Sequence, residues 1–202
     1  MADQVFLPRW PSVSVVTPTW QRKNLLTFRC IPSVEAQEYP GSVYHIIVSD
    51  GPDPGLSPRS GLTMLPEHRE SRNRGLLARH HGTKIAEGDL IAYLDDDNSW
   101  RRRHLAVLVR ALMDSEADFA YSRALCHNSI FNYSIGVSRP VVGQIDTSLI
   151  VHRKELLDVA DWQPSNGPAD WDLVNRWVNS GAQWVFVPEI TVDYYVRQES
   201  FL

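Results

Sequence analysis

Leu90-Ile91-Ala92-Tyr93-Leu94-Asp95-Asp96-Asp97 is an apolar run that passes directly into three carboxylates. Its apolar part has the length and composition of a buried strand. Asp97, Asn98 or Ser99 would each cap a helix starting near Trp100, but one cap needs one such side chain, not three adjacent acids. Like charges this close raise each other's pKa and destabilise the site unless a cation offsets them. Side chains alternate along an extended strand end, so Asp95 and Asp97 are expected on one side and Asp96 on the other. Two carboxylates on one side suit a hard cation such as Mg2+ or Mn2+, which takes oxygen ligands and keeps positions open for phosphate.

The pattern of that run occurs twice more upstream. Residues 12–17 (SVSVVT) are β-branched and apolar, and Pro18 is expected to end them. Residues 44–49 (YHIIVS) form a second buried run, closed by Asp50-Gly51-Pro52. Between the strands, residues 24–37 read as a helix kinked at Pro32, and residues 76–87 as a helix stopped at Gly88. The polar, Pro/Gly-rich passage 51–72 reads as loop. Downstream, residues 100–113 repeat apolar side chains at Leu105, Leu108 and Leu112, one face of a helix. This alternation predicts an α/β fold, a Rossmann-like, mostly parallel sheet flanked by helices. Ligands of such sheets bind beyond the carboxyl ends of the strands. All three strands end there in polar or special-backbone residues: Pro18-Thr19, Asp50-Gly51 and Asp95-Asp96-Asp97.

The second half is less regular. Strands are expected at 119–123, 147–151, 184–187 and 191–197, and helices at 153–159 and 170–179. With 202 residues, 43% apolar and 22% charged, the chain suits one domain, 1–202, with halves at 1–98 and 99–202. A net charge of -4 and a pI near 6.0 argue against nucleic acid as a partner. Cys30 and Cys126 have neither disulfide-framework nor metal-ligand spacing. The first ten residues lack an apolar signal core, and no apolar stretch is long enough for a transmembrane segment. A soluble, cytoplasmic protein is expected. Arg101-Arg102-Arg103 reads as a solvated, mildly basic helix start, and most of the seven tryptophans, Trp177 and Trp184 among them, as core.

Several segments, in order, resemble family 2 glycosyltransferases of the GT-A fold over nearly the whole chain. They are Val16-Thr17-Pro18-Thr19-Trp20-Gln21-Arg22, Val48-Ser49-Asp50-Gly51, Asn73-Arg74-Gly75 with Ala78-Arg79 and Gly82 through Gly88, Leu94-Asp95-Asp96-Asp97, and Trp100 with His104-Leu105. The resemblance implies a donor half, 1–98, that binds a nucleoside-diphosphate sugar, and an acceptor-side second half, 99–202. Asp50 would hydrogen-bond the base, usually uracil, whose imide N–H a carboxylate can accept; an Asp-Gly surface turn is the other reading. Pro18 and Thr19 would line the base and ribose pocket. Asp95, with Asp96 beside it, would contact the ribose or a metal-bound water, and Asp97 would ligate Mn2+ or Mg2+. Arg79 would lie near the nucleotide or be a solvated helix residue, and His80 stands where relatives often carry Asn.

On the acceptor side, Pro168-Ala169-Asp170-Trp171-Asp172-Leu173 matches the stretch that carries the family's base. Ala169 replaces the usual Glu, and Asp170 would be the base, with Asp172 as fallback on another face of the helix. Asp146, in Gly143-Gln144-Ile145-Asp146-Thr147, would bind a sugar hydroxyl or simply turn the chain. Arg197 stands where relatives often carry His; a guanidinium only donates, so it would meet diphosphate rather than metal. The implied reaction is metal-dependent, inverting transfer from a UDP-sugar, with TDP the other option, to an acceptor hydroxyl. Because the sequence stops at Leu202, a small or soluble acceptor is expected, and a homo-oligomer is left open. A nucleotidyltransferase would want a Gly-rich loop where this chain reads TPTWQRKN. A GT-A scaffold that binds nucleotide without turnover is the alternative, and Ala169 and Arg197 lend it weight.

Overall fold

The computed structural model describes residues 9–57, 59, 61–66 and 75–196. The elements run β1 (Val13–Thr19), α1 (Lys23–Leu25), α2 (Ile31–Glu35), β2 (Val43–Ser49), β3 (Leu62–Met64), α3 (Leu76–Ile85), β4 (Leu90–Tyr93), β5 (Ser99–Trp100), α4 (His104–Met113), β6 (Phe119–His127), β7 (Tyr133–Ile135), β8 (Ile150–Arg153), α5 (Leu156–Val159), α6 (Ala169–Asn179) and β9 (Trp184–Tyr195). They build a nine-stranded sheet of order β3-β2-β1-β4-β8-β6-β9-β5, with β7 paired to β6.

The expected parallel ladder holds from β3 to β4. Beyond it the sheet is mixed, because β8 is antiparallel to both β4 and β6, while β6 and β9 are parallel. β4 is wholly buried, and the α4 face of Leu105, Leu108 and Leu112 packs into the core as its spacing predicts. On the other flank α3 lies so close to β1 that a Cβ on Gly82 would stand 2.4 Å from Val16 Cγ1.

Several sequence boundaries are corrected. Pro18 does not end β1 but lies within it. The β1–β4 pairing stops at Val16↔Tyr93, so the missing N–H of Pro18 faces a side where the ladder has already ended. In the helix expected at 24–37, a π-helical turn at Leu26–Cys30 lies between α1 and α2. It sits just upstream of Pro32, which cannot donate to the carbonyl four residues back. The passage read as loop contains β3, three residues held by pairing with β2 rather than by any pattern of their own. Trp100 belongs to β5, and α4 starts only at His104. Residues Thr147–Leu149 form a 3-10 turn before β8, and the helix expected at 153–159 shrinks to α5. β6 runs on to His127, and the two closing strands are one, β9, which absorbs Pro188 through shifts in its register with β6.

Candidate active site

β1 lies between β2 and β4, so Pro18 and Thr19 stand between Asp50 and the Asp95-Asp96-Asp97 turn. Asp50 is buried, and its N–H donates to the Thr19 carbonyl at 2.8 Å. The antiparallel β8 starts at this same edge, which brings in the turn before it with Asp146 and Ser148. β9, parallel to β6, ends here and supplies Tyr194 and Tyr195. α6 contributes Asp170 from its first turn.

The alternation expected of the three aspartates does not occur. A turn replaces the strand after Asp95, whose carbonyl accepts from the Asn98 N–H at 3.1 Å. Asp96 is buried and accepts from Thr19 Oγ1 at 2.7 Å. Asp97 lies on the same side as Asp96, because Arg22 Nη1 donates to both, at 2.8 Å each. Asp95 is held apart by Arg79 Nη2 at 2.5 Å.

Arg79 is buried on α3, with its guanidinium 5.2 Å from the Trp162 ring. Burial works against its charge, but Asp95, Asp146 and Asp170 outweigh that and keep it cationic. Gly75, with φ of +69°, permits this packing: a Cβ there would stand 2.9 Å from Pro18 Cβ and 3.3 Å from Arg79 Nη1. His80 instead pairs outward with Asp161 at 3.0 Å, alongside Lys84.

The acidic groups press on one another. Burial, then Asp95 and Asp170, push the Asp146 carboxyl up to about 8. Asp146 also caps the 3-10 turn, accepting from the Ser148 N–H at 2.8 Å. Asp170 is raised by burial, with the Trp171 N–H and Arg79 opposing. The charge of Asp146, ahead of burial, raises the Tyr194 hydroxyl. Asp172 is turned away into an i,i+4 ion pair with Arg176 at 2.9 Å.

Among the described residues, the carboxyl groups of Asp95, Asp96 and Asp97 meet the guanidiniums of Arg22 and Arg79, with Asp146 and Asp170 close to Arg79. Hard oxygen donors gathered in this way fit a divalent cation. Among the described residues no three His, Cys, Asp or Glu side chains gather into a cage for one. The fit is therefore to an ion held by one or two carboxylates and completed by phosphate, as Mg2+ commonly is.

Sequence reading missed the residues that fix this turn. Buried Ser148 accepts through Oγ from the Asp95 N–H at 3.4 Å and from Asn98 Nδ2 at 3.2 Å. Asn98 Oδ1 accepts from the Tyr195 N–H at 3.0 Å. Arg29 donates to the Asp97 carbonyl at 2.7 Å and lies 3.7 Å over the Tyr195 ring. Asp53, also buried, accepts from the N–H groups of Gln21 and Gly55 at 2.9 and 3.0 Å, holding Gln21 at a φ of 53°. Of these, only the polar type of Asn98 gave any local signal. Arg197, and Asn73 and Arg74 of the resemblance, lie outside the described residues.

Comparison with known proteins gives the family and the fold. The description "Glycosyl transferase family 2" matches residues 14–161, which take in every site residue above up to Asp161. The succinoglycan biosynthesis protein ExoW of Rhizobium meliloti (strain 1021) is 28% identical over 166 residues, 73% of this chain and 50% of that protein. An N-acetylglucosaminyltransferase of Rhizobium sp. (strain N33) is 26% identical over 137 residues, 62% of this chain and 30% of that one. The chain therefore spans half or less of these relatives' length. Among solved structures, S. aureus TarS in complex with UDP-GlcNAc superposes with a TM-score of 0.73 at 15% identity, over 94% of this chain and 60% of that one. The mannosyltransferase PcManGT from Pyrobaculum calidifontis, in complex with GDP-Man and Mn2+, gives 0.70 at 19% identity, over 96% and 59%. These two likenesses speak for the fold, which is GT-A. With most of its length matched, from β1 past the acidic turn, the chain belongs to glycosyl transferase family 2.

Proposed function

We propose that the chain transfers a sugar from a nucleoside-diphosphate sugar to an acceptor hydroxyl. The observation that carries this is the convergence of Asp95, Asp146 and Asp170 around the buried Arg79, across β1 from Asp50, at the carboxyl edge of the sheet's parallel half. Asp50 reads the base, with Pro18 and Thr19 lining the base and ribose pocket. A carboxylate accepts the imide N–H of uracil or thymine, so a UDP-sugar is preferred and TDP is the other option. TarS binds UDP-GlcNAc, which fits; PcManGT binds GDP-Man, so guanine belongs in the test.

Mn2+ or Mg2+ held by Asp97, with Asp95 meeting the ribose or a metal-bound water, would neutralise charge growing on the departing diphosphate. Arg79 fixes Asp95 and keeps a permanent positive charge at the cleft. Asp170 takes the proton from the acceptor hydroxyl as it attacks the anomeric carbon. Its raised pKa makes it a stronger base than an ordinary carboxylate. Asp146, rigid in its turn, faces a sugar hydroxyl. Attack opposite the leaving group in one displacement inverts the anomeric centre. A second reading, nucleotide binding without turnover, rests on Ala169 at the start of α6 where the family resemblance calls for Glu.

Thermal unfolding with UDP, TDP or GDP, with and without Mn2+, tests the donor site. A nucleotide at a hundredfold excess over Kd stabilises by about 2.7 kcal/mol, a melting shift of about 5 °C or more at this size. The shift is expected to need Mn2+ and to vanish in Asp97→Asn. No shift with any nucleotide removes the donor site; a shift without turnover of any nucleotide-sugar favours the second reading.

A further inference from the structure

We propose that Arg22 is an exchangeable counter-cation: it pairs with Asp97 while no divalent cation is bound and turns to the donor diphosphate once one is. The proposal rests on the reading of Asp97 as a metal ligand. Among the described residues Arg79 and Arg22 pair with side chains of the acidic turn, and they are built differently. Arg79 is anchored on a helix with a side chain 8% exposed, against Asp95. Arg22 sits on a loop, its side chain 27% exposed, and bridges two carboxylates through one nitrogen.

Those two carboxylates also differ. The Asp96 side chain is 4% exposed and accepts from Thr19 through its other oxygen, whereas Asp97 is 13% exposed. A cation arriving at Asp97 displaces a guanidinium from one partner and leaves it the other. Both present contacts use Nη1, and a guanidinium carries five N–H donors, so Asp96 can retain the head while other donors turn outward. Arg22 also borders an open hollow lined by Gln21, Lys23, Asn24 and Leu25, so its side chain is not packed in on every side. The backbone under it does not move with it, since Asp53 pins the Gln21 N–H. The anion that suits a released guanidinium at this edge is a diphosphate, which it meets with paired N–H donors.

The test is Mn2+ binding without nucleotide, followed through the paramagnetic resonance of free Mn2+, in wild type, Arg22→Gln, Asp97→Asn and the double variant. Gln can still donate to Asp96, and Arg22→Lys serves in its place should the Gln variant not fold. Losing the competing ion pair is expected to tighten Mn2+ about fivefold, as a partly exposed pair is worth, and Asp97→Asn is expected to erase that gain. At saturating Mn2+, Arg22→Gln is expected to weaken UDP about tenfold. Mn2+ affinity that depends on Asp97 but is unchanged or weaker in Arg22→Gln overturns the exchange and leaves the metal reading intact. Mn2+ binding indifferent to Asp97→Asn overturns both. Tighter Mn2+ with unchanged UDP overturns the diphosphate half.

Discussion

Asp146 is expected to lower the stability of the ligand-free protein as pH rises above 6.5. Its carboxyl is raised from the usual 3.8 to about 8 by burial and by Asp95 and Asp170, so between those values the native state holds a proton that the unfolded chain releases. Stability contributed by such a group is present below the unfolded value and is lost as pH rises through the native one. Three histidines pull the other way at lower pH. Burial lowers His45 and His104 to about 3 and His152 to about 4. Neutral His152 is fixed between the Tyr93 hydroxyl and the Arg153 carbonyl. Their stabilisation grows as pH rises to the unfolded value of 6.5 and is flat above it. Maximum stability is therefore expected near pH 6.5, with a decline to pH 8 that belongs to the acidic cleft. Over that span of about 1.5 units the loss is on the order of 2 kcal/mol, or about 4–8 °C in melting temperature. Asp146→Asn keeps an oxygen for the Ser148 N–H and removes the charge. Melting curves from pH 4 to 9 should retain the rise below 6.5 and lose the fall above it. A wild type that does not decline above pH 6.5, or an Asn variant that declines equally, refutes the reasoning.

Two further predictions separate chemistry from packing. Asp170→Asn is expected to lower kcat for sugar transfer by about 100-fold or more with donor affinity nearly unchanged, as for loss of a general base. Asp172→Asn, which breaks only the Arg176 pair, is expected to cost well under tenfold; equal losses in the two variants would remove Asp170 from its role. Gly82→Ala places a Cβ 2.4 Å from Val16 Cγ1 and is expected to cost about 1–3 kcal/mol in denaturant melts by overpacking α3 on β1. A neutral result there would mean that helix and strand separate freely.

What the sequence disclosed about the cleft follows from how each residue acquires its position. Asp50 and Asp95 follow apolar strands, β2 and β4, so strand pattern alone carries them to the carboxyl edge. Asp96 and Asp97 follow a turn instead, and the period of two that sorts side chains onto faces ends where the turn begins. Ser148, Asn98 and Tyr195 join the turn through contacts 50 to 97 residues apart in sequence, and no local pattern encodes such distances. Asp53 acts on a backbone angle at Gln21, a conformation rare outside glycine that nothing in residue type announced. β3 was unreadable for a related reason, since three residues carry no periodicity and its ladder is supplied by β2.

The reversal of strand direction after β4 is what completes the cleft. If β8 were parallel, its carboxyl end would face this edge and the turn before it, with Asp146 and Ser148, would sit at the opposite side of the sheet. Antiparallel entry places that turn against Asp95, where the Ser148 hydroxyl meets the Asp95 N–H and the Asn98 side chain. β6 then runs back to the edge, and β9, parallel to it, ends there with Tyr194 and Tyr195. Each reversal adds a group to one edge, so the mixed half of the sheet gathers acids and hydroxyls that the parallel half alone cannot supply. The same arrangement creates the electrostatic cost visible in the raised carboxyls of Asp146 and Asp170. A cleft that crowds its carboxylates in this way is most stable when cations stand among them, and among the described residues Arg79 is anchored there while Arg22, on its loop, is the more exposed.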